Sequence, residues 1–467
     1  MRLLKVRVQD FRCVEDSTEF GLDGVTCLVG KNESGKTALL KALHKLKPDK
    51  TAKEVFEAVD YPRRKWRPDS PIPADPPAIT TTWELDDADI AALDGKFEIG
   101  VISDRVFTLS KGYDNVPRYT IKADFTALIK KFIVDGNLTE DEQETIAGTK
   151  TIQSAQQALE AIKQRTPAQA KLLDTLRNRF PKGGVVAVNE AVMERVPTFL
   201  YFDEYLTLPG QVSVNEIVAR KSQNQLNERD RVFLALLSLA GTTIEKVHDA
   251  GTFEEFSAAL RAVSNQIRDQ IFKYWSQNKH LDVIIRLDHA RKSDPPPFNS
   301  GWVFRTRIEN QRHRADTSFD DRSRGFVWFF SFLVWFYQLQ KLYGNNLIIL
   351  LDEPGLSLHA RAQADLLRYI NEQLRPRHQV LYTTHSPFMI DPDNLLSART
   401  IEDVVVKEKT SGEEKILGTK VGGDVLSTDA DTISPLQRAL DYEITQTLFI
   451  GRHTLLVEGP SEWLYDP

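Results

Sequence analysis

VTCLVGKNESGKTALLKALHKL, residues 25–46, is the stretch on which the reading of this 467-residue chain turns. Residues 25–29 form a short apolar run that predicts a strand, and residues 36–46 carry helix signals. Between them, Gly30, Lys31, Asn32, Glu33, Ser34, Gly35, Lys36 and Thr37 satisfy G-x-x-x-x-G-K-[ST] in the strand-to-helix setting that the pattern requires. The physical case is direct. Glycines let backbone N–H groups curl round phosphates, and the N-terminus of the following helix adds positive potential. Lys36 reaches the β- and γ-phosphates, and Thr37 offers a hydroxyl to Mg²⁺. ATP and Mg²⁺ are therefore the expected substrate and cofactor. A chance Gly-Lys-Thr turn is the plain alternative, and the flanking strand and helix argue against it.

Three later segments complete a nucleotide site. NLIILLDEPGLSLH, residues 346–359, is an apolar run ending in two acids. Asp352 is expected to hold Mg²⁺ through water and Glu353 to polarise the attacking water, since in-line attack at the γ-phosphate calls for an acid next to the metal acid. LYTTHSP puts His385 just after another apolar strand, where ligand-facing groups gather in a parallel sheet. It is expected to contact the γ-phosphate or order the water, rather than to be a satisfied core histidine. DDRSRGFVWFF, residues 320–330, opens a helix with Ser323 and Gly325. Such a start can donate to a phosphate; a simple N-cap at Ser323 is the alternative.

Composition bounds the rest. The length suggests about two to four domains. With 41% hydrophobic and 27% charged residues the chain is an ordinary globular protein. A net charge of −6 argues against a globally basic nucleic-acid binder but leaves room for a local basic groove. RTRIENQRHR, residues 305–314, and the arginines and lysine of 63–67 are the stretches that could contact DNA; a solvated face is the plain reading of each. Two cysteines, Cys13 and Cys27, make no disulfide framework or metal-ligand spacing and read as small buried residues of a cytoplasmic protein. No signal-peptide pattern opens the chain. The most apolar run, Phe326–Phe336, is shorter than the roughly 20 residues a membrane span needs, so a buried helix is expected and no membrane partner.

Organised along the chain, residues 1–105 read as a first ATPase lobe with the glycine-rich loop. Residues 106–280 read as a mainly helical insertion, interrupted by a strand in VPTFLYFDEY (196–205), with dimerisation as its expected role and a plain helical core as the alternative. Residues 281–450 read as a second ATPase lobe. Strands alternating with helices imply a mostly parallel sheet covered on both faces. The fold class expected is α/β.

The order of these motifs resembles the ABC-type ATPase head of SMC-like proteins. The N-terminal phrasing L-x-x-V-x-V-x-D-F-R (3–12), with FDEY, D-R-S-R-G-F-x-W-F and LDEPGLSLH, is similar to the OLD (overcoming lysogenization defect) family of ATP-dependent endonucleases. That resemblance implies a P-loop ATPase head split by a helical dimerisation element. It further implies a homo-oligomer in which two heads sandwich ATP, Ser323 and Gly325 of one facing the γ-phosphate held by the other. Lys36, Thr37, Asp352, Glu353 and His385 take the roles given above. Ser323-Arg324-Gly325 departs from the full Leu-Ser-Gly-Gly-Gln, and the Asp60–Arg64 segment occupies roughly the place of a Q-loop glutamine. In OLD proteins a Toprim nuclease domain follows the head. LLVEGPSE, within residues 451–467, resembles its start, with Glu458 as the first metal-binding acid. The later Asp-x-Asp is absent here, and one glutamate cannot assemble a two-metal centre, so this chain by itself is not expected to cut DNA by that route.

The function implied is thus the ATPase module of an ATP-regulated DNA nuclease in bacterial anti-phage defence. The alternative is a stand-alone SMC-like scaffold or sensor that holds a separate nuclease or toxin.

Overall fold

The computed structural model describes residues 1–49, 54–67, 69–73, 75–146, 148–203, 205–249, 253–276, 280–310, 312, 315–407 and 414–422. The chain divides into two compact units. The first comprises Met1–Leu22, Lys45–Lys47 and Lys53–Pro197; the second comprises Asp23–His44, Pro48–Ala52 and the chain from Thr198 onward. Glu458 and residues 451–467 lie outside the described residues.

The second unit is built on a six-stranded sheet. Its strands are β1 (Val25–Gly30), β2 (Thr198–Phe202), β3 (Leu347–Leu351), β4 (Gln379–Thr384), β5 (Ala398–Lys407) and β6 (Glu414–Gly422), in the spatial order β6-β5-β1-β4-β3-β2. β5, β1, β4, β3 and β2 are parallel, and only β6 runs antiparallel, against β5. The sequence explains this. Every residue of VTCLVG and of LIILL is buried, and a run without alternation fits a strand covered on both faces. Cys27 lies in β1, where burial pushes its thiol up to about 12, so it is inert packing. Cys13 differs from expectation: it is exposed, in the turn that follows strand Arg2–Phe11.

Register places the site. Leu351 pairs with Phe202 on one side and Tyr382 on the other, and Thr384 pairs with Val29. The carboxyl ends of β2, β3, β4 and β1 therefore line up, and Asp203, Asp352, His385 and the glycine-rich loop all leave the sheet at one edge. Ligands bind at this edge in open α/β sheets.

Helix α1 (Lys36–Leu46) follows the loop after β1. Helix α2 (Glu228–Leu239) is capped by Asn227, whose side chain accepts from Asp230 N. Helix α3 (Arg324–Tyr343) contains the apolar run 326–336, and all of that run is buried. Its rings pack on the sheet and on the helix Ala360–Tyr369: Phe202 lies 5.6 Å from Trp328 and 5.4 Å from Phe332, and Phe329 lies 5.4 Å from Tyr369. A run this apolar is thus satisfied inside the protein. Among the described residues, no helix is long and apolar enough to cross a membrane.

Two expectations need correcting. Of residues 281–450, read as one lobe of a mostly parallel sheet, the strands up to Ser318 stand outside that sheet. Leu281–His289, Trp302–Asn310 and Ala315–Ser318 form a separate antiparallel sheet with Gln211–Ser213. LDVIIRLDH buries alternate residues, the pattern of a strand covered on one face only. Second, residues 106–280 are divided between the two units. TFLYF at 198–202 has four of five residues buried and pairs along its length with β3, so the chain from Thr198 belongs with the nucleotide sheet.

The first unit has an antiparallel sheet of Arg2–Phe11, Val14–Asp16, Phe20–Gly21, Ile79–Glu84, Val106–Lys111 and Arg118–Tyr119. Helices from Asp87–Phe97 to Gly184–Arg195 complete it. Asp86 caps the helix Asp87–Phe97, its side chain accepting from Asp89 N at 2.8 Å.

Candidate functional site

The loop from Gly30 to Gly35 is shaped by its backbone. Gly35 has φ +101, and a Cβ there would stand 2.2 Å from Thr419 Oγ1 on β6. Only glycine meets both conditions. Thr419 donates to Ser34 O at 2.9 Å, so β6 closes over the loop. Glu33 takes φ +65. Ser34 Oγ is buried and has no hydrogen-bond partner among the described residues. Lys31, Asn32, Glu33 and Thr37 are exposed, Thr37 on the first turn of α1. Lys36 is 5% exposed, and its Nζ donates to Gly30 O at 2.7 Å and Lys31 O at 2.8 Å.

The acids at the end of β3 face this lysine. Glu353 Oε1 lies 3.2 Å from Lys36 Nζ, and Glu353 Oε2 lies 2.9 Å from His385 Nδ1. Lys36, Glu353 and His385, widely separated in sequence, thus form one chain of charged and polar contacts. Glu353 has φ +48, a left-handed conformation that costs a non-glycine residue about 1–3 kcal/mol and collects at functional sites. Its carboxylate is turned toward Lys36 and His385, while the side chain of Asp352 engages Thr383 and Tyr201.

Two residues that the sequence reading did not assign hold these acids. Thr383 Oγ1 donates to Asp352 Oδ1 at 2.7 Å and accepts from Glu353 N at 2.8 Å. One hydroxyl on β4 therefore fixes both acids on β3. Tyr201, from β2, donates to Asp352 Oδ2 at 2.8 Å. Burial and the neighbouring Asp352 carboxylate push the Tyr201 phenol up, so it remains a donor. Its ring stacks on His44 at 5.5 Å, and Lys41 Nζ lies 5.4 Å from its centroid. Asp203, next along from β2, has its carboxyl raised by burial and by Glu228 and Asp352. Thr383 was visible in TTHSP and Tyr201 in TFLYF, each a polar tip in an otherwise apolar strand.

The donor set suits Mg²⁺, which takes one or two carboxylates, phosphate oxygens and water rather than an all-protein cage. Asp352 and the Thr37 hydroxyl are the residues that would hold it. Among the described residues, no group of three or more His, Cys, Asp and Glu could hold a metal ion by itself.

Ser323 and Gly325 stand apart from this chain of contacts. Ser323 is the exposed N-cap of α3, and its hydroxyl makes no capping hydrogen bond. Gly325 is buried because the helix presses on the segment after the acids: a Cβ there would stand 2.2 Å from Leu358 Cδ2 and 3.1 Å from Ser357 O. Asp60, expected near the Q-loop position, lies in the first unit. Burial raises its carboxyl, but Lys45 at 2.9 Å and Arg12 at 3.0 Å outweigh that and hold it low. The basic stretches are partly neutralised. Arg305 pairs with Asp294 at 2.6 Å and Arg307 with Asp316 at 2.7 Å, while Arg64 pairs with Glu15 and Lys65 with Asp10.

Two family models match along the chain. Residues 1–185 match a family model described as "AAA ATPase domain", and residues 191–391 match one described as "AAA domain, putative AbiEii toxin, Type IV TA system". An uncharacterized protein of Methanocaldococcus jannaschii, MJECL43, is 30% identical over 187 residues, 39% of this chain and 43% of that protein. Endonuclease GajA of Bacillus cereus is 28% identical over 136 residues, 28% of this chain and 20% of that protein. The chain therefore spans less than half the length of either relative. Among solved structures, an SMC head bound to the C-terminal winged-helix domain of ScpA aligns over 89% of this chain and 97% of its own, with TM-score 0.39 and 13% identity. The SMC head domain of Thermotoga maritima aligns over 90% and 99%, with TM-score 0.34 and 14% identity. The described residues form an α/β fold, and both matched family models describe AAA domains.

Proposed function

We propose that this chain binds and hydrolyses ATP, and that its nucleotide state controls the association of two heads and, in a longer protein, a DNA nuclease. The observation that carries the ATPase reading is the contact chain Lys36–Glu353–His385 beside Asp352. A γ-phosphate arriving at Lys36 competes with the Glu353 carboxylate for the ammonium. Glu353, released from that ion pair, accepts a proton from the attacking water, and His385 holds its other oxygen in line. Bound Mg²⁺ would neutralise charge on the β- and γ-phosphates. Ser34 Oγ and the loop N–H groups supply donors to the phosphates.

Head association follows from Ser323. Its hydroxyl is exposed at the start of a 20-residue helix and is not used as a cap. In this reading it donates to a nucleotide held by a second copy, with Gly325 letting α3 seat closely, and residues 106–280 contribute to dimerisation. The nuclease and anti-phage setting rests on the similarity to endonuclease GajA, and DNA contact on exposed residues such as Arg63 and Arg67. A second reading, an ATPase that restrains a separate toxin, is favoured by the family match over 191–391.

The test is light scattering of Glu353→Gln with and without Mg-ATP. The expected result is an ATP-dependent doubling of mass that Ser323→Arg abolishes. A mass unchanged by ATP in both proteins overturns head association.

A further inference from the structure

We infer, resting on the ATPase reading above, that Gln363 is a positioning residue for hydrolysis: it ties the turn after Glu353 to the segment after His385, so that the base and the histidine are held as one piece. Gln363 lies on the helix Ala360–Tyr369 and is 6% exposed. Its Nε2 donates to Gly355 O at 2.8 Å and to Leu358 O at 3.0 Å, and its Oε1 accepts from Ser386 Oγ at 2.6 Å. Two carbonyls can take only the NH₂ of the amide, so they fix which way it faces. Both donors therefore go to one segment and the acceptor to the other. Asparagine offers the same groups on a shorter stem, and an ionised glutamate offers no donor.

Each segment carries a residue of the site. After Glu353, Leu356 N donates to Glu353 O at 3.1 Å and Leu358 N to Gly355 O at 3.0 Å, so Gly355 and Leu358 are joined to the base through hydrogen-bonded turns. Ser386 follows His385 directly, and its N donates to Thr384 Oγ1 at 2.9 Å. Glu353 and His385 meet at 2.9 Å, and both line a cavity of about 230 Å³ together with Gln363 and Ser386. The two segments also touch a second time. A Cβ on Gly355 would stand 2.9 Å from Met389 Cγ, and Met389 O accepts from Tyr382 Oη at 2.6 Å.

Closing the turn before its own helix would need only Gly355 O and Leu358 O. The bond from Ser386 is what reaches the histidine segment. Glu353 gives the link its purpose. Its backbone is left-handed, φ +48, and such a residue keeps that conformation only where its surroundings over-determine it. Thr383 holds Glu353 N from β4; Gln363 holds the chain that follows. With the amide gone, the turn can relax, and Glu353 and His385 can part without any change at Lys36 or the glycine-rich loop. Turnover would then suffer while nucleotide binding would not, because reacting groups misplaced by about 1 Å cost about 100-fold in rate.

The test measures phosphate release and the Kd for AMP-PNP on the full chain, in wild type and variants, with Glu353→Gln as the control. Gln363→Leu should lower kcat about 30-fold and Ser386→Ala about tenfold, with Kd within about twofold of wild type. Ser386→Thr, which restores the hydroxyl, should recover turnover to within about threefold of wild type. The double variant Gln363→Leu with Ser386→Ala should be no slower than Gln363→Leu alone, because Ser386 acts through Gln363. A double variant slowed by the product of the two, about 300-fold, overturns the link. A Kd that rises as much as kcat falls marks a merely structural role and overturns it too. Wild-type turnover in both single variants, with Glu353→Gln inactive, overturns the positioning role and leaves the ATPase reading standing. Turnover by Glu353→Gln at the wild-type rate overturns the ATPase reading, and this one with it. Ser386 is half-buried, so its variants decide the matter even if Gln363→Leu folds poorly.

Discussion

Replacing Thr383 by valine tests how the two acids are held. The swap keeps the side-chain volume in a position that is 0% exposed and removes only the hydroxyl. Two hydrogen bonds go with it: the donation to Asp352 Oδ1 at 2.7 Å and the acceptance from Glu353 N at 2.8 Å. A hydrogen bond to a charged group contributes about 1.5–3 kcal/mol, and an N–H left unpaired in a partly buried site costs about 1–3 kcal/mol. The Glu353 backbone is already left-handed, so the second bond also opposes relaxation of a strained residue. With partial relaxation, a stability loss of about 2–4 kcal/mol is expected, read by urea unfolding at constant m-value. Turnover should fall further than stability explains. Loosening both the metal acid and the base by about 2.7 kcal/mol in the transition state corresponds to about 100-fold in kcat. Thr383→Ser, which keeps the hydroxyl, should retain turnover within about threefold. The reasoning is refuted if Thr383→Val hydrolyses ATP as fast as Thr383→Ser in folded protein.

Tyr201→Phe removes the donor to Asp352 Oδ2 and should raise the Mg²⁺ concentration for half-maximal turnover by about 3–10-fold, the effect of one charge-assisted hydrogen bond, as measured by a Mg²⁺ titration at fixed ATP. Gly325→Ala places a methyl against Leu358 and Ser357 O; overpacking of this kind should lower stability by about 1–3 kcal/mol, seen as a shift in the urea midpoint. Arg305→Ala together with Arg307→Ala should leave DNA affinity and its salt slope unchanged, because both guanidiniums already pair with aspartates; a salt slope reduced by about two would show that they meet phosphates.

The nucleotide strands were legible because their physics is local. VTCLV, LIILL and QVLYTT are apolar runs between turn signals, and GKNESGKT states its own conformation through Gly35. The buried helix at 324–343 was legible for the same reason. Partners across the sheet were not legible. That Tyr201 meets Asp352, or that Thr419 closes over Gly35, depends on strand order, and strands 150 or more residues apart carry no sequence trace of adjacency. The alternation in LDVIIRLDH distinguishes a strand covered on one face from the buried parallel ones, whereas strand–helix succession alone implies a single parallel sheet. The strand TFLYF fell inside a segment dominated by amphipathic helices, and only its pairing with Leu347–Leu351 shows which unit it joins.

The central claim is that ATP is bound at Gly30–Thr37 and hydrolysed with Glu353 as the base. Phosphate release and nucleotide retention, measured on the same samples of wild type, Lys36→Ala and Glu353→Gln, test it most directly. The account predicts that Lys36→Ala retains no nucleotide, and that Glu353→Gln retains ATP but releases phosphate at least about 100-fold more slowly than wild type. Phosphate release by Glu353→Gln at the wild-type rate would contradict it.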